Sequence, residues 1–282
     1  MKIAHLILCH ANLDQLERLI GRLQHPDAWV YIHVDNKAPI EPFLRLQSLP
    51  NVVLVKNRVE VYWGGYSIVQ ATLNGFAEIL SSGIGFNYIN LMSGQDYPIK
   101  STEYIHKFLA ENPGKAFMHT LSVMHEWQEA IPRITKYHLV NFHFPGRYKV
   151  EKVINTIMPS RRFPGSLTPV GRSQWLTITP AQAAYIINYL ADNKQFTNFF
   201  KLSWAPDEMI FQTILYNSPY KDNIVNDNLR YIDWSQGGAS PKLLTMSDAD
   251  ALTKSEKLFA RKFNPATDSA ILDHLDKISF HK

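Results

Sequence analysis

Two rhythms of apolar and polar positions alternate through the first 120 residues of the chain. Short, almost continuous apolar runs read as buried strands: IAHLILC at residues 3–9, WVYIHVD at 29–35, VVLV at 52–55 and FNYINLM at 86–92. Between them the spacing changes to that of amphipathic helices. LDQLERLIGRL places Leu13, Leu16, Leu19, Ile20 and Leu23 on one face, with Asn12 positioned to cap its start. SIVQATLNGFAEIL is a second helix with Ser67 as its expected cap. TEYIHKFLAEN is a third, ended by Pro113 and Gly114, and AFMHT is a further short strand. Strands and helices in strict alternation predict an α/β fold: a Rossmann-like, mainly parallel central sheet flanked by helices. Ligands of such sheets gather at the carboxyl ends of the strands. Here those ends carry His10, Asp35, residues 60–65 and the turn SGQDYP, with Gly94 to Asp96.

The pattern loosens after residue 120. Between His143 and Trp175 the chain carries Arg147, Lys149, Lys152, Arg161, Arg162 and Arg172 against one acid, Glu151, with several prolines and glycines. This composition predicts a long loop or lid, and the basic stretch 143–174 is a candidate for peripheral membrane contact. Regular elements then resume. QWLTIT is a strand, 180–191 and 206–216 are helices, LRYIDW is a strand, and SDADALTKSEKLFARKF is a capped helix with a basic end. With no repeat and no clean linker, residues 1–282 form one compact unit.

Composition narrows the function classes. The chain has 282 residues, 45% hydrophobic and 19% charged, as in ordinary globular proteins. A formal charge of +4 suits an anionic ligand and is too small to imply nucleic acid. A single cysteine, Cys9, rules out an internal disulfide and fits a reducing cytoplasm. No apolar run approaches the length of a membrane span, so no transmembrane segment is expected.

The candidate chemistry centres on SWAPDEMIF, where Asp207 and Glu208 follow Pro206. Proline and acids suit the first turn of a helix. Adjacent helical residues point about 100° apart, so one acid can hold the helix start while the other faces a cleft. No phosphate-binding glycine loop of the G-x-G-x-x-G or P-loop type is present, and WGGYS reads as a tight turn. His10, His33 and Asp35 lie on neighbouring strands but lack the spacing of a metal site; a metal-dependent phosphoesterase is the rival reading that they allow. His5 and His33 are expected to be satisfied core residues. The one D-x-D, Asp248 and Asp250, has the look of a cap and first turn. If a nucleotide diphosphate binds, side-chain cations must therefore neutralise it. Arg230, flanked by apolar positions on a strand, and Lys262, beside Arg261 at a helix end, are the candidates.

Taken in order, the segments HLILCH, LERLIGRL, WVYIHVD, VYWGGYSIVQATL, YINLMSGQDYPIKS, SQWLTIT, APDEMIFQTIL and ARKF resemble glycosyltransferase family 14 over roughly residues 3–265. That family contains core-2 β-1,6-N-acetylglucosaminyltransferases and peptide O-xylosyltransferases. The resemblance implies a GT-A-like fold, a UDP-sugar donor, inversion at the anomeric carbon and catalysis without a metal or other cofactor. It makes residues 1–120 the nucleotide-sugar-binding half and 121–282 the acceptor and catalytic half. It assigns Glu208 as general base, with Asp207 supporting the start of its helix. Arg230, Lys262 and the adjacent Arg261 would hold the diphosphate, and Asp35 would contact uridine. Asp96, Trp63, Trp175 and Asp207 would belong to the sugar and acceptor region. The expected donor sugar is N-acetylglucosamine, with xylose and glucuronic acid as alternatives, and the acceptor a glycan or lipid-linked glycan. With one cysteine and a strand at its start, the chain resembles a bacterial-type cytoplasmic member. A non-catalytic glycan- or nucleotide-binding protein is the remaining alternative.

Overall fold

A computed structural model describes residues 1–278. The first half follows the predicted alternation: β1 (Ile3–Cys9), α1 (Leu13–Leu23), β2 (Ala28–Val34), β3 (Val52–Leu54), α2 (Tyr66–Ser81), β4 (Tyr88–Ser93), β5 (Asp96–Pro98), α3 (Thr102–Ala110) and β6 (Ala116–Met118). The second half is built of shorter pieces: β7 (Leu121–Ser122), α4 (Ile131–Thr135), α5 (Arg147–Ile157), β8 (Val170–Gly171), β9 (Leu176–Ile178), α6 (Pro180–Asp192), α7 (Lys194–Lys201), α8 (Ile210–Tyr216), β10 (Ile224–Val225), β11 (Arg230–Ile232), α9 (Ala249–Lys254), β12 (Phe259–Arg261) and α10 (Ala270–Ile278).

Seven strands form the main sheet in the order β10-β6-β9-β4-β1-β2-β3. All neighbouring pairs are parallel except those of β9, which runs antiparallel to both β4 and β6. The predicted α/β fold is therefore present, a Rossmann-like and mainly parallel sheet between two helical layers. Strands from the two halves of the chain interleave, since β9 inserts between β4 and β6. A smaller sheet, β11-β12-β5, joins the turn after β4 to the last third of the chain.

The period of two along β1 divides its side chains between two cores. Ile3, Ile7 and Cys9 pack with Leu16, Leu19 and Ile20 of α1, Ile105 and Leu109 of α3, and Ile271 and Leu275 of α10. Ala4 and Leu6 face the opposite layer, with Val69 and Phe76 of α2, Ile186 of α6 and Phe211 of α8. Gly75 is required here, because a Cβ would meet Leu6 at 2.4 Å. His5 is satisfied as expected: its Nδ1 lies 3.0 Å from Asn90 Nδ2, and burial lowers its pKa to about 3.

Several local expectations need correction. Asn12 takes a left-handed conformation and its side chain makes no cap bond. Gly65 precedes α2, and the Ser67 hydroxyl accepts from the Tyr62 amide rather than capping the helix. The stretch predicted as one helix over 206–216 is a 3-10 turn, Pro206–Glu208, followed by α8. The basic end of the last predicted helix is the strand β12, which pairs with both β5 and β11. The stretch 143–174 is not a structureless lid. It contains α5, and the buried Arg161 donates to the carbonyls of Lys136, Leu202 and Phe199. Sequence composition reported its charge and missed that one of those charges is a structural clamp.

Candidate active site

A cleft of about 950 Å³ opens beyond the carboxyl ends of β3, β4, β6 and β10. Glu208 stands on its wall at the end of the 3-10 turn. Two backbone features set that turn. Ala205 takes a left-handed φ of 47° and its amide donates to the Gly64 carbonyl, which ties the turn to the loop after β3. On the other side, the Arg172 amide donates to the Glu208 carbonyl at 3.0 Å. Gly171 makes this approach close: a Cβ there would lie 2.2 Å from the Glu208 carbonyl oxygen.

The Glu208 carboxylate is held by one side chain. Arg133 of α4 donates through Nη1 to Oε2 at 2.5 Å. Its guanidinium lies 4.6 Å from the Trp127 ring centroid and 4.4 Å from that of Trp204. Two aromatic faces thus restrain the cation, a geometry that suits a planar guanidinium. Among the described residues, no hydrogen bond engages Glu208 Oε1, which is left available as an acceptor. Trp204 meets Trp63 edge to face at 5.4 Å, and Trp63 is the most exposed aromatic of the cleft at 64%. Arg133 and Trp204 were not singled out from sequence. Trp204 stands four residues before Glu208 in the quoted motif, whereas Arg133 lies far off in the chain and carries no local signal.

Asp207 also lines the cleft but does not cap a helix: α8 has no side-chain cap bond. Its Oδ1 is buried and meets no donor among the described residues. Burial, then the adjacent Glu208 charge, raises its carboxyl pKa to about 7.

The cleft also has cationic lining. Arg261 and Lys262 both face the cleft. The Arg261 guanidinium stacks 4.1 Å from the Trp175 ring centroid, with Nη1 3.6 Å from Asp96 Oδ1. Its Nε and Nη1 have no hydrogen-bond acceptor among the described residues. Desolvation and the neighbouring Arg261 charge lower the Lys262 pKa. Arg230 is placed differently. Its guanidinium donates to Asn90 Oδ1, to the Leu91 carbonyl at 2.6 Å and to the Asn228 carbonyl at 2.5 Å. It braces β4 against β11 while still lining the cleft, and burial lowers its pKa to about 10. Arg230, Arg261 and Lys262 all line the cleft, Arg230 as its most fully hydrogen-bonded cation.

The two acids expected at the strand ends lie below the surface. Asp96 is fully buried, its Oδ2 accepts from the Ser93 amide, and desolvation raises its pKa against the pull of Arg261 and Arg230. Asp35 accepts through Oδ1 from the amides of Lys37 at 2.9 Å and Val61 at 3.2 Å. It fixes the loop that carries Trp63, and neither acid is among the residues lining the cleft. His33 Nε2 accepts from the Val59 amide. Among the described residues, no three His, Cys, Asp or Glu side chains are grouped to hold a metal, so His10, His33 and Asp35 do not converge.

A carboxylate set by an aromatic-flanked arginine shares with cationic side chains a cleft at the carboxyl ends of a mainly parallel sheet, in a protein of the α/β class. The model of the Core-2/I-branching enzyme family matches residues 3–255, and the chain belongs to that family. It is 27% identical over 304 residues to xylosyltransferase oxt of Drosophila melanogaster, covering 98% of this chain and 33% of that protein. To xylosyltransferase 2 of Rattus norvegicus it is 24% identical over 305 residues, with the same coverage. The chain spans about a third of the length of these curated relatives. Among solved structures, S. aureus TarS 1-349 in complex with UDP matches at a TM-score of 0.44 and 11% identity, over 98% of this chain and 64% of that one. Apo mouse xyloside xylosyltransferase 1 matches at 0.42 and 8% identity, over 92% and 97%.

Proposed function

We propose that this chain is an inverting glycosyltransferase that moves a sugar from a UDP-sugar to a hydroxyl of a glycan or lipid-linked glycan. Family membership supports the class, and the relatives' names lend support to xylose among the donors to be tested. The observation that carries the mechanism is that Glu208, with one free carboxylate oxygen, lines the same cleft as Arg261 and Lys262. In a single displacement the acceptor oxygen bonds to the anomeric carbon as the bond to UDP breaks. Glu208 takes the acceptor proton, and the electron pair leaves with the diphosphate. Arg261 and Lys262 stabilise the charge that develops there, the role that fixed cations play at a departing phosphate. Arg133 orients the base, so that little reorganisation remains at the moment of reaction.

In this reading side-chain cations replace a divalent ion at the diphosphate, and catalysis proceeds without metal. UDP release measured for UDP-N-acetylglucosamine, UDP-xylose and UDP-glucuronic acid, each with a panel of glycan acceptors, tests the class and identifies the donor. One donor turned over only when acceptor is present is the expected result. UDP binding with no transfer to any acceptor would point to a non-catalytic binding protein.

A further inference from the structure

The helix α5 lies outside the cleft and has no buried residue. At about 100° per residue, Arg147, Glu151, Ile154 and Asn155 share its inner face. That face is pinned by polar contacts. Glu151 accepts from the Leu139 amide at 2.8 Å, and Asn155 exchanges two bonds with the backbone of Tyr137. The outer face is left unpartnered. Val150, Val153 and Ile157 form a stripe at i, i+3 and i+7, exposed by 42%, 56% and 73%. Met158 continues it beyond the helix end, and Phe142 and Phe144 stand exposed on the segment leading in. Lys149 and Lys152 project beside the stripe and are exposed. Lys136 of the α4 connection faces Lys152 and Tyr148 across a shallow groove.

We infer that this outer face docks on an anionic lipid bilayer. Charge decides the occupant. The exposed charged side chains of the helix are Lys149 and Lys152, with His143 exposed between Phe142 and Phe144; Lys152 shares its groove with Lys136 and with the helix's one acid, Glu151, which accepts from the Leu139 amide. A second copy presenting the same face would bring like charges together. An anionic headgroup layer complements the lysines and receives the valine and isoleucine side chains at its boundary, the arrangement of an interfacial helix. No described helix is long and apolar enough to cross a membrane, so the contact is one of lying on the surface. Because α4 carries Arg133 into the cleft and ends at Lys136 in the groove beside α5, docking would set the cleft close to the bilayer.

The test is co-sedimentation of the whole protein with vesicles of phosphatidylcholine alone and of phosphatidylcholine with phosphatidylglycerol. Binding is expected only with phosphatidylglycerol and is expected to weaken at high salt. Loss of each lysine charge should lower the partition coefficient about fivefold, so Lys149→Gln with Lys152→Gln should lower it on the order of 25-fold. Val153→Ser with Ile157→Ser should also lower it. UDP release in solution should be unchanged in both variants, because none of these residues lines the cleft, and circular dichroism checks their folding. Equal binding to both vesicle types, or partition unaffected in both folded variants, would overturn the proposal. So would a dimer that Val153→Ser with Ile157→Ser dissociates while the native protein ignores vesicles.

Discussion

The two halves of the chain divide the work unevenly. Up to β6 the molecule is regular, and the acids at its strand ends are spent on the scaffold: Asp35 ties one loop and Asp96 is buried under Arg261. After β6 the elements are short, and that region supplies Arg133, Glu208, Arg261 and Lys262 to the cleft. The same contrast separates two arginines near each other. Arg230 donates to Asn90, Leu91 and Asn228, whereas Arg261 rests on the Trp175 ring and beside Asp96, with its buried Nε and Nη1 meeting no acceptor among the described residues. A charged side chain at a strand end thus acquires its role from what surrounds it, and residue type and position in the motif do not settle that role.

The largest expected effect falls on the irregular half. Glu208→Gln should lower turnover by about 10²- to 10⁴-fold, the usual worth of a positioned general base, while the circular dichroism spectrum stays native. Near-native turnover would remove Glu208 from that role. Gly171→Ala comes next. The added methyl must displace the Glu208 carbonyl, and a shift of about 1 Å in the base costs on the order of 10²-fold in rate, readable as a fall in kcat larger than any rise in KM. Unchanged kcat would show that the turn absorbs the methyl.

Arg230→Met sharpens the contrast between scaffold and site. Asn90 Oδ1 keeps the Thr177 hydroxyl as donor, but the Leu91 and Asn228 carbonyls lose theirs, at about 1–3 kcal/mol each, so a stability loss of roughly 2–6 kcal/mol is expected in denaturant titration. Equal stability of variant and native protein would mean that the guanidinium is free for ligand. The smallest effect concerns Asp207. Its folded pKa, about 7, lies above the unfolded value for an aspartate. The native state therefore binds the proton more tightly, and this group's contribution to stability falls as pH rises from about 4 to 7. Asp207→Asn should flatten that slope in thermal melts across the window; an unaltered slope would place the titration elsewhere.

The contrast also explains what could be read beforehand. Buried strands of the first half announce themselves because both faces of β1, β2 and β4 are covered, and α1 announces itself by its stripe of leucines. The 3-10 turn at Glu208 was read as continuous helix because proline and acids signal a first turn equally well in both; only the Gly64 and Gly171 contacts break it. The end of the ARKF segment was read as a helix terminus, yet its partner strands lie some 30 and 160 residues away in sequence, beyond any local pattern. Arg133 is a lone arginine in IPRIT, and its meaning exists only once Trp127 and Trp204 close around it.

The central claim is that side-chain cations, chiefly Lys262 with Arg261, receive the donor diphosphate in the cleft that Glu208 lines. Calorimetric titration of UDP in EDTA, into the native protein and into Lys262→Ala, tests it most directly. A charge-assisted hydrogen bond contributes about 1.5–3 kcal/mol, so UDP should bind in EDTA and weaken roughly ten- to hundredfold in the variant. Binding abolished by EDTA, or equal affinity in both proteins, would contradict it.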